Sequence, residues 1–321
     1  MNGSKASQIF AIRPTQTVNK VSLERVWTAG EKDELAVGYN SAVTVKVGSG
    51  LFLFAYNKTT QQTDVYALSD GPPWARRVDS KINFDGGPWD SLDAFVFGNV
   101  PYLLTYRTDD GTFGFFRLEN DFSVSPPYKF ALPRNTPTKG FTTVAPFTSL
   151  GAQYMLGYNF NDGTVAIFSV AVTPSSTGNV PPLIALNVWY HRWAQGWTRF
   201  AFFQMGGANF FFKINTAKLN VNIDHVQDNP AAGTVEVGSY LQSQLPDALS
   251  IDVAARVPWN HDEPYLLTYV ASNGATVVYL IHTDCQGWTP FGAATTVDSA
   301  SIVTPYRVGD STYVLFYRAG K

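Results

Sequence analysis

The sequence predicts an all-β fold, a closed ring of six four-stranded antiparallel sheets forming one domain over residues 1–321. Three observations predict it. Charged residues make up only 15% and aromatics 15%, beside 26 glycines and 19 prolines, which suits many short strands joined by turns and suits neither helices nor disorder. An aromatic–aliphatic pentad recurs along the chain at near-equal spacing. Finally, the last copy of the repeat is half missing, and the N-terminal segment carries the strands that would complete it.

The repeat is clearest in "PYLLTY", written at Pro101–Tyr106 and again at Pro264–Tyr269. Its equivalents are "FLFAY" (52–56), "YLLTY" (102–106), "YMLGY" (154–158), "FFFKI" (210–214), "YLLTY" (265–269) and "YVLFY" (313–317). Their last residues recur every 48 to 56 positions, and a fixed period of this length marks a repeat architecture. Each pentad reads as the second strand of a unit. An innermost strand precedes it, as in "SLDAFVF", "TTVAPF", "TRFAFF", "SIDVAA" and "SIVTPY". A turn such as "RTDDG" (107–111) or "NFNDG" (159–163) follows, where Asp, Asn and Gly supply hairpin dihedrals. A third strand comes next, for example "TFGFFRL" (112–118) or "TVAIFSV" (164–170), and a less regular fourth run, "GWTPFGA" (287–293), closes the unit.

Four strands per unit, repeated radially, describe a six-bladed β-propeller with blades at about 35–84, 88–134, 140–190, 196–243, 248–294 and 299–321 plus 7–30. The sixth unit stops after its second strand. "SQIFAIR" (7–13) reads as its third strand and "VSLERVWTAG" (21–30) as its fourth, with "VWTAG" echoing the "GWTPFG" of the fifth unit. Closing the ring this way leaves no open edge between first and last blades. "TPSSTGNVPP" (173–182) reads as a loop between strands.

Net charge is −2 with no lysine- or arginine-rich run, so nothing makes an electrostatic footprint for nucleic acid or an anionic membrane. No stretch approaches the about 18 apolar residues of a membrane span. "MNGSKASQIFAIRP" lacks an apolar core of signal-peptide length, and the single cysteine, Cys285, forms no internal disulfide. The expectation is a soluble, cytoplasmic protein whose oligomeric state stays open. His191, His225, His261 and His282 lack ligand spacing, so no zinc or iron site is expected. No nucleophile elbow, P-loop or dinucleotide fingerprint occurs.

Most repeated aromatics, including Tyr56, Tyr106, Tyr158, Tyr269 and Tyr317, read as packing between blades. Positions that break the repeat carry more information. On the innermost strands, the place held by Ala145, Ala201 and Thr304 reads as Asp93 in blade two and Asp252 in blade five. Blades two and five are opposite in a ring of six, so two carboxylates are expected to face one another across the central channel. Confinement there raises a carboxyl pKa, which makes either a candidate general acid or base; the alternative is that they bind water or cap strand ends. Lys213 stands where other blades carry Ala55, Thr105, Gly157, Thr268 and Phe316. It needs either an ion-pair partner, expected from a neighbouring blade, or a ligand. The loops "GGPWDS" (86–91), "GFTT" (140–143), "GWTR" (196–199) and "PDALS" (246–250) lead into the inner strands. Trp89, Asp90, Phe141, Trp197 and Arg199 are expected to form an apolar rim with a few polar groups at the channel mouth. Trp197 reads equally as blade punctuation, since "GWT" recurs at 287–289.

The "WTAG" and "GWTPFG" endings and the overall size resemble the fungal fucose-binding propeller lectins. That resemblance implies sugar sites between blades, built from an Arg on the second strand, a Glu on the third and a nearby Trp or Tyr. Here the second-strand positions are Leu103, Met155, Phe211 and Leu266, and the third strands offer Gly114, Ala166 and Val278. The fucose set is therefore missing from these blades. The chain also looks like the fungal natural-product propellers related in fold to those lectins, which catalyse ring closures of hetero-Diels–Alder and trichothecene type. The resemblance implies one pocket at the channel mouth for a small, largely apolar molecule, worked by confinement and one acid or base without a cofactor. The alternative is a carbohydrate-binding lectin with shallow sites between blades and no catalysis. Polar residues largely fail to repeat, which favours the single pocket.

Overall fold

The computed structural model describes residues 7–17, 20–29, 35–36, 38–124, 128–130, 139–149, 151–172, 183–215, 218, 220–229, 234–244, 251–259, 264–285, 287–296 and 298–319. Among these residues the chain forms six four-stranded antiparallel sheets and no helix. Blade one is β3 (Ser41–Val47), β4 (Gly50–Asn57), β5 (Gln62–Leu68) and β6 (Ala75–Asn83). Blade two is β7 (Ser91–Phe97), β8 (Val100–Arg107), β9 (Thr112–Arg117) and β10 (Tyr128–Phe130). Blade three holds β11 (Thr143–Ser149), β12 (Ala152–Tyr158), β13 (Thr164–Val172) and β14 (Leu183–Arg192); blade four holds β15 (Trp197–Met205), β16 (Ala208–Asn215), β17 (Asn220–Asn229) and β18 (Thr234–Gln244). Blade five is β19 (Val253–Val257), β20 (Tyr265–Val270), β21 (Ala275–Ile281) and β22 (Trp288–Thr295).

Blade six closes the ring. Its order is β2 (Val21–Thr28), β1 (Gln8–Pro14), β24 (Ser311–Tyr317), β23 (Ile302–Val308). Ile9 pairs with Leu315 and Ala11 with Tyr313, so the N-terminal segment supplies the third and fourth strands to a blade whose first two come from the end of the chain. The expected closure holds, although one of its supports does not. Trp288 opens β22 opposite Ile281, whereas Trp27 lies near the far end of β2 opposite Ile9. The two "WT" echoes are therefore not equivalent positions.

Inner strands β3, β7, β11, β15, β19 and β23 each touch the next, and β23 returns to β3, so the six sheets surround a common axis. Burial follows from this stacking. Second strands are buried almost end to end, as in β20 and β24, because both faces meet a neighbouring blade and an alternating pattern would put polar groups into one of them. Outer strands such as β22 are mostly accessible. Six apolar clusters fill the six blade interfaces. The segments 173–182 and 246–250, and His261, lie outside the described residues.

Candidate functional site

The end of the channel where inner strands begin is built from a repeated device. Tyr56 Oη accepts the backbone N–H of Trp89 in the next blade, Tyr106 that of Phe141, Tyr158 that of Trp197, Tyr269 that of Ala300, and Tyr317 that of Tyr39, at 2.8–3.3 Å. The residue at this position is a buried plug in every blade: Tyr39, Trp89, Phe141, Trp197 and Ala300, each held by a tyrosine, and Ile251, which follows a blade with Ile214 in the tyrosine's place. A small polar residue follows it and caps the turn after the second strand. Asn40 accepts from the Lys58 N–H, Asp90 from Thr108, Thr142 from Phe160 and Asp252 from Ala271, at 2.6–3.0 Å. In three blades a glycine precedes the plug at positive φ (Gly38, Gly140 and Gly196), and a Cβ at Gly196 would sit 2.7 Å from the Asn215 amide nitrogen. This accounts for "GFT" at 140–142 and "GWT" at 196–198, whereas the "GWT" at 287–289 opens the outer strand β22 and is not equivalent.

Trp89, Phe141 and Trp197 therefore do not form a rim. They are 0%, 1% and 4% exposed and pack inside blade interfaces. Asp90 is a cap that also pairs with Lys58. Burial raises the Asp90 pKa, but the Lys58 ammonium and the Thr108 N–H outweigh it and hold the carboxyl below its usual range. Arg199 straps blade four to blade five: its Nε donates to the Asp252 carbonyl oxygen and a terminal nitrogen donates to the Thr198 carbonyl at 2.8 Å.

Strand register also separates the two aspartates. Asp93 pairs with Leu104, as Ala145 does with Leu156, Ala201 with Phe212 and Thr304 with Leu315. In blade five the residue at that level is Ala255, opposite Leu267. Asp252 lies three residues earlier and is the counterpart of Asp90. The opposed pair is thus replaced by one carboxyl. Asp93 keeps some accessible surface yet is surrounded by protein, as a group on the wall of a narrow channel must be. Burial pushes its pKa up to about 7, opposed only by the Ala94 N–H, which donates to Oδ1 at 2.7 Å.

Lys213 is an ion pair within its own blade rather than with a neighbour. Its Nζ lies 2.5 Å from Asp224 Oδ2 on β17, both side chains about 5% exposed or less. The ammonium also sits 3.8 Å from the Trp193 ring centroid and 4.8 Å from that of Trp197. Burial lowers the Lys213 pKa and raises that of Asp224, each charge resisting the other's shift.

The other end of the channel, where inner strands turn into second strands, holds a cavity of about 350 Å³. Blade three contributes Pro146, Phe147 and Thr148, blade four Phe202, Phe203, Gln204 and Asn209, and blade five Arg256. Phe147 and Phe202 stack across the blade interface, centroids 4.7 Å apart and 5° from parallel. Gln204 Nε2 donates to Asn209 Oδ1 at 3.0 Å, Asn209 Nδ2 to Ser149 Oγ at 2.7 Å, and Thr148 Oγ1 to Gln153 Oε1 at 3.1 Å. These polar residues escaped the sequence reading. The signal was present: the level of Arg256 carries Thr44, Ala94, Pro146, Phe202 and Pro305 in the other blades. Only the correct register of blade five exposes Arg256 as the one charge there.

A second concavity of about 510 Å³ runs between the outer strands of blades three and four, lined by Val188, Trp189, Tyr190, His191, Trp193, Val235, Glu236 and Val237. Trp189 lies 5.0 Å from His191 and 6.0 Å from Trp193. Among the described residues no helix is long and apolar enough to cross a membrane.

No protein-family model matches this chain, and no curated protein matches it at a significant level. Solved structures do. A 6-phosphogluconolactonase candidate from Bacteroides fragilis matches with a TM-score of 0.55 at 11% identity, over 95% of this chain and 86% of that one. Its counterpart from Bacteroides uniformis gives 0.53 at 11%, over 93% and 85%. A chain of a humanized mutant of the Chaetomium thermophilum Polycomb Repressive Complex 2 gives 0.55 at 12%, over 90% and 67%. At such identities the likeness is one of fold. The class is settled: this is a six-bladed β-propeller.

Proposed function

We propose that this propeller binds a small organic molecule in the cavity at the strand-turn mouth of its central channel. One observation carries the reading. Thr148, Gln204, Asn209 and Arg256 come from three blades and converge on one cavity with apolar walls, whereas the opposite channel end repeats its residues from blade to blade. A single pocket needs different residues from each blade, as here; a few placed polar groups on an aromatic lining are the usual make-up of a small-molecule site. In the finer form of this reading the protein is a cofactor-independent cyclase. Asp93, on the ring level next to that of Arg256, would then be the general acid or base for a ligand reaching along the channel.

A second reading has its own support. The groove between blades three and four offers the Trp189 and Trp193 rings with the Glu236 carboxylate, a combination suited to stacking on a sugar face and accepting its hydroxyl protons. In that form the protein is a carbohydrate-binding lectin without catalysis. A small-molecule fragment screen with hits located by crystal soaking, run beside a glycan array, decides between them. Hits on Arg256 and the Phe147–Phe202 stack are expected. Glycan binding abolished by Trp189→Ala would replace the first reading with the second, and no binding at either place would remove both.

A further inference from the structure

We infer that the channel-mouth cavity takes an organic monoanion, a carboxylate on a flat apolar body, with the Arg256 guanidinium as its anchor. The inference rests on the small-molecule reading above and names the ligand class.

Arg256 is exposed and differs from the half-buried arginines. Arg77 pairs with Asp64, Arg117 with Glu119 and Arg318 with Asp298, while Arg199 is bonded to two carbonyls. Among the described residues Arg256 has no ion pair, hydrogen bond or aromatic ring under its charge. Among the described residues no acid lines the cavity beside it. Its exposed surface opens into the concavity, yet protein surrounds it closely enough that burial lowers its pKa with no opposing charge. A guanidinium stays protonated through the accessible pH range and presents N–H donors in a planar fork. The result is a preformed positive site with no protein partner among the described residues.

The lining selects the rest of the ligand. Thr148, Gln204 and Asn209 are tied to neighbours by the hydrogen bonds above, so they hold fixed positions and add no charge. The Phe147–Phe202 stack and Phe203 supply flat apolar wall. One cation without a second base matches one negative charge, and the planar fork matches a carboxylate in two parallel hydrogen bonds. A phosphate dianion would leave half its charge uncompensated.

The test is calorimetric titration of the protein with 2-naphthoate and with 2-naphthamide, its neutral isostere, repeated on Arg256→Gln and Arg256→Lys. Naphthoate is expected to bind the natural protein, to weaken about tenfold or more on Arg256→Gln, and to fall between on Arg256→Lys, which keeps charge but loses the fork. Naphthamide is expected to bind more weakly and to ignore either substitution. Equal binding of acid and amide, or naphthoate binding unchanged by Arg256→Gln, overturns the anion assignment and leaves the small-molecule reading standing. Failure of both compounds to bind the natural protein overturns the two together. Should Arg256→Gln not fold, the acid–amide comparison on the natural protein decides alone.

Discussion

At one end of the channel the same elements recur from blade to blade: a buried plug, a small polar cap and, in five interfaces, a tyrosine hydroxyl holding the plug's N–H. At the other end Lys46, Val96, Thr148, Gln204 and Arg307 occupy one level, a mixture of cationic, apolar and neutral polar side chains. The first end meets the same demand six times, since each blade must bury its entering backbone against the previous one without orphaning an N–H. The second meets no such demand, because outside blade five only two residues separate the inner strand from the second strand there. Repetition therefore marks what holds the ring together, and departure from it marks where a ligand can be specified.

The comparison can be broken or sharpened by substitution. The largest effect is expected where a repeat position was exchanged for charge. Asp224→Asn leaves the Lys213 ammonium buried without its partner and should cost about 3–5 kcal/mol in urea unfolding. Replacing both residues by Met and Leu should cost less than either single change, because no charge is then stranded. Next comes Asp93. Its carboxyl titrates near 7 in the fold against 3.8 unfolded, so the native state holds the extra proton between those values and stability falls as pH rises through that window. Asp93→Asn should remove the slope and stabilise the protein at pH 8 by about 2 kcal/mol, the full about 1.4 kcal/mol per unit being reduced by channel water. Parallel pH–stability curves for the two proteins would contradict this.

Smaller effects separate the two ends. Tyr106→Phe strands the buried Phe141 N–H and should cost about 1–2 kcal/mol by thermal unfolding. Thr142→Ala removes the acceptor of the Phe160 N–H, which water can reach, and should cost under about 1 kcal/mol. Arg256→Gln should change stability by no more than about 0.5 kcal/mol, because no described residue pairs with that guanidinium. A loss comparable to that of Tyr106→Phe would place Arg256 among the structural residues instead.

Most of the architecture was legible because burial imposes it locally. A blade's second strand is covered on both faces, so Leu103–Tyr106 and Leu266–Tyr269 read as apolar runs wherever they fall, and six of them count six blades. The same property hid the register. A strand buried on both sides carries no alternating pattern to fix its phase, so Asp252 was aligned with Asp93 although it belongs with Asp90. Lys213 stood out as an exception, but nothing local pointed to Asp224, which lies diagonally across the next strand.

By itself the chain determined the ring and its closure, since period, strand length and the apolar "QIFAIR" segment are properties of neighbouring residues. Only the tertiary structure decided where the ends of the channel differ and which side chains reach the cavity. Thr148, Gln204 and Arg256 are each about fifty residues apart, and what unites them is hydrogen-bond register in three separate sheets. Composition and periodicity carry little information about that register, because strands buried on both faces have no alternating pattern to fix their phase.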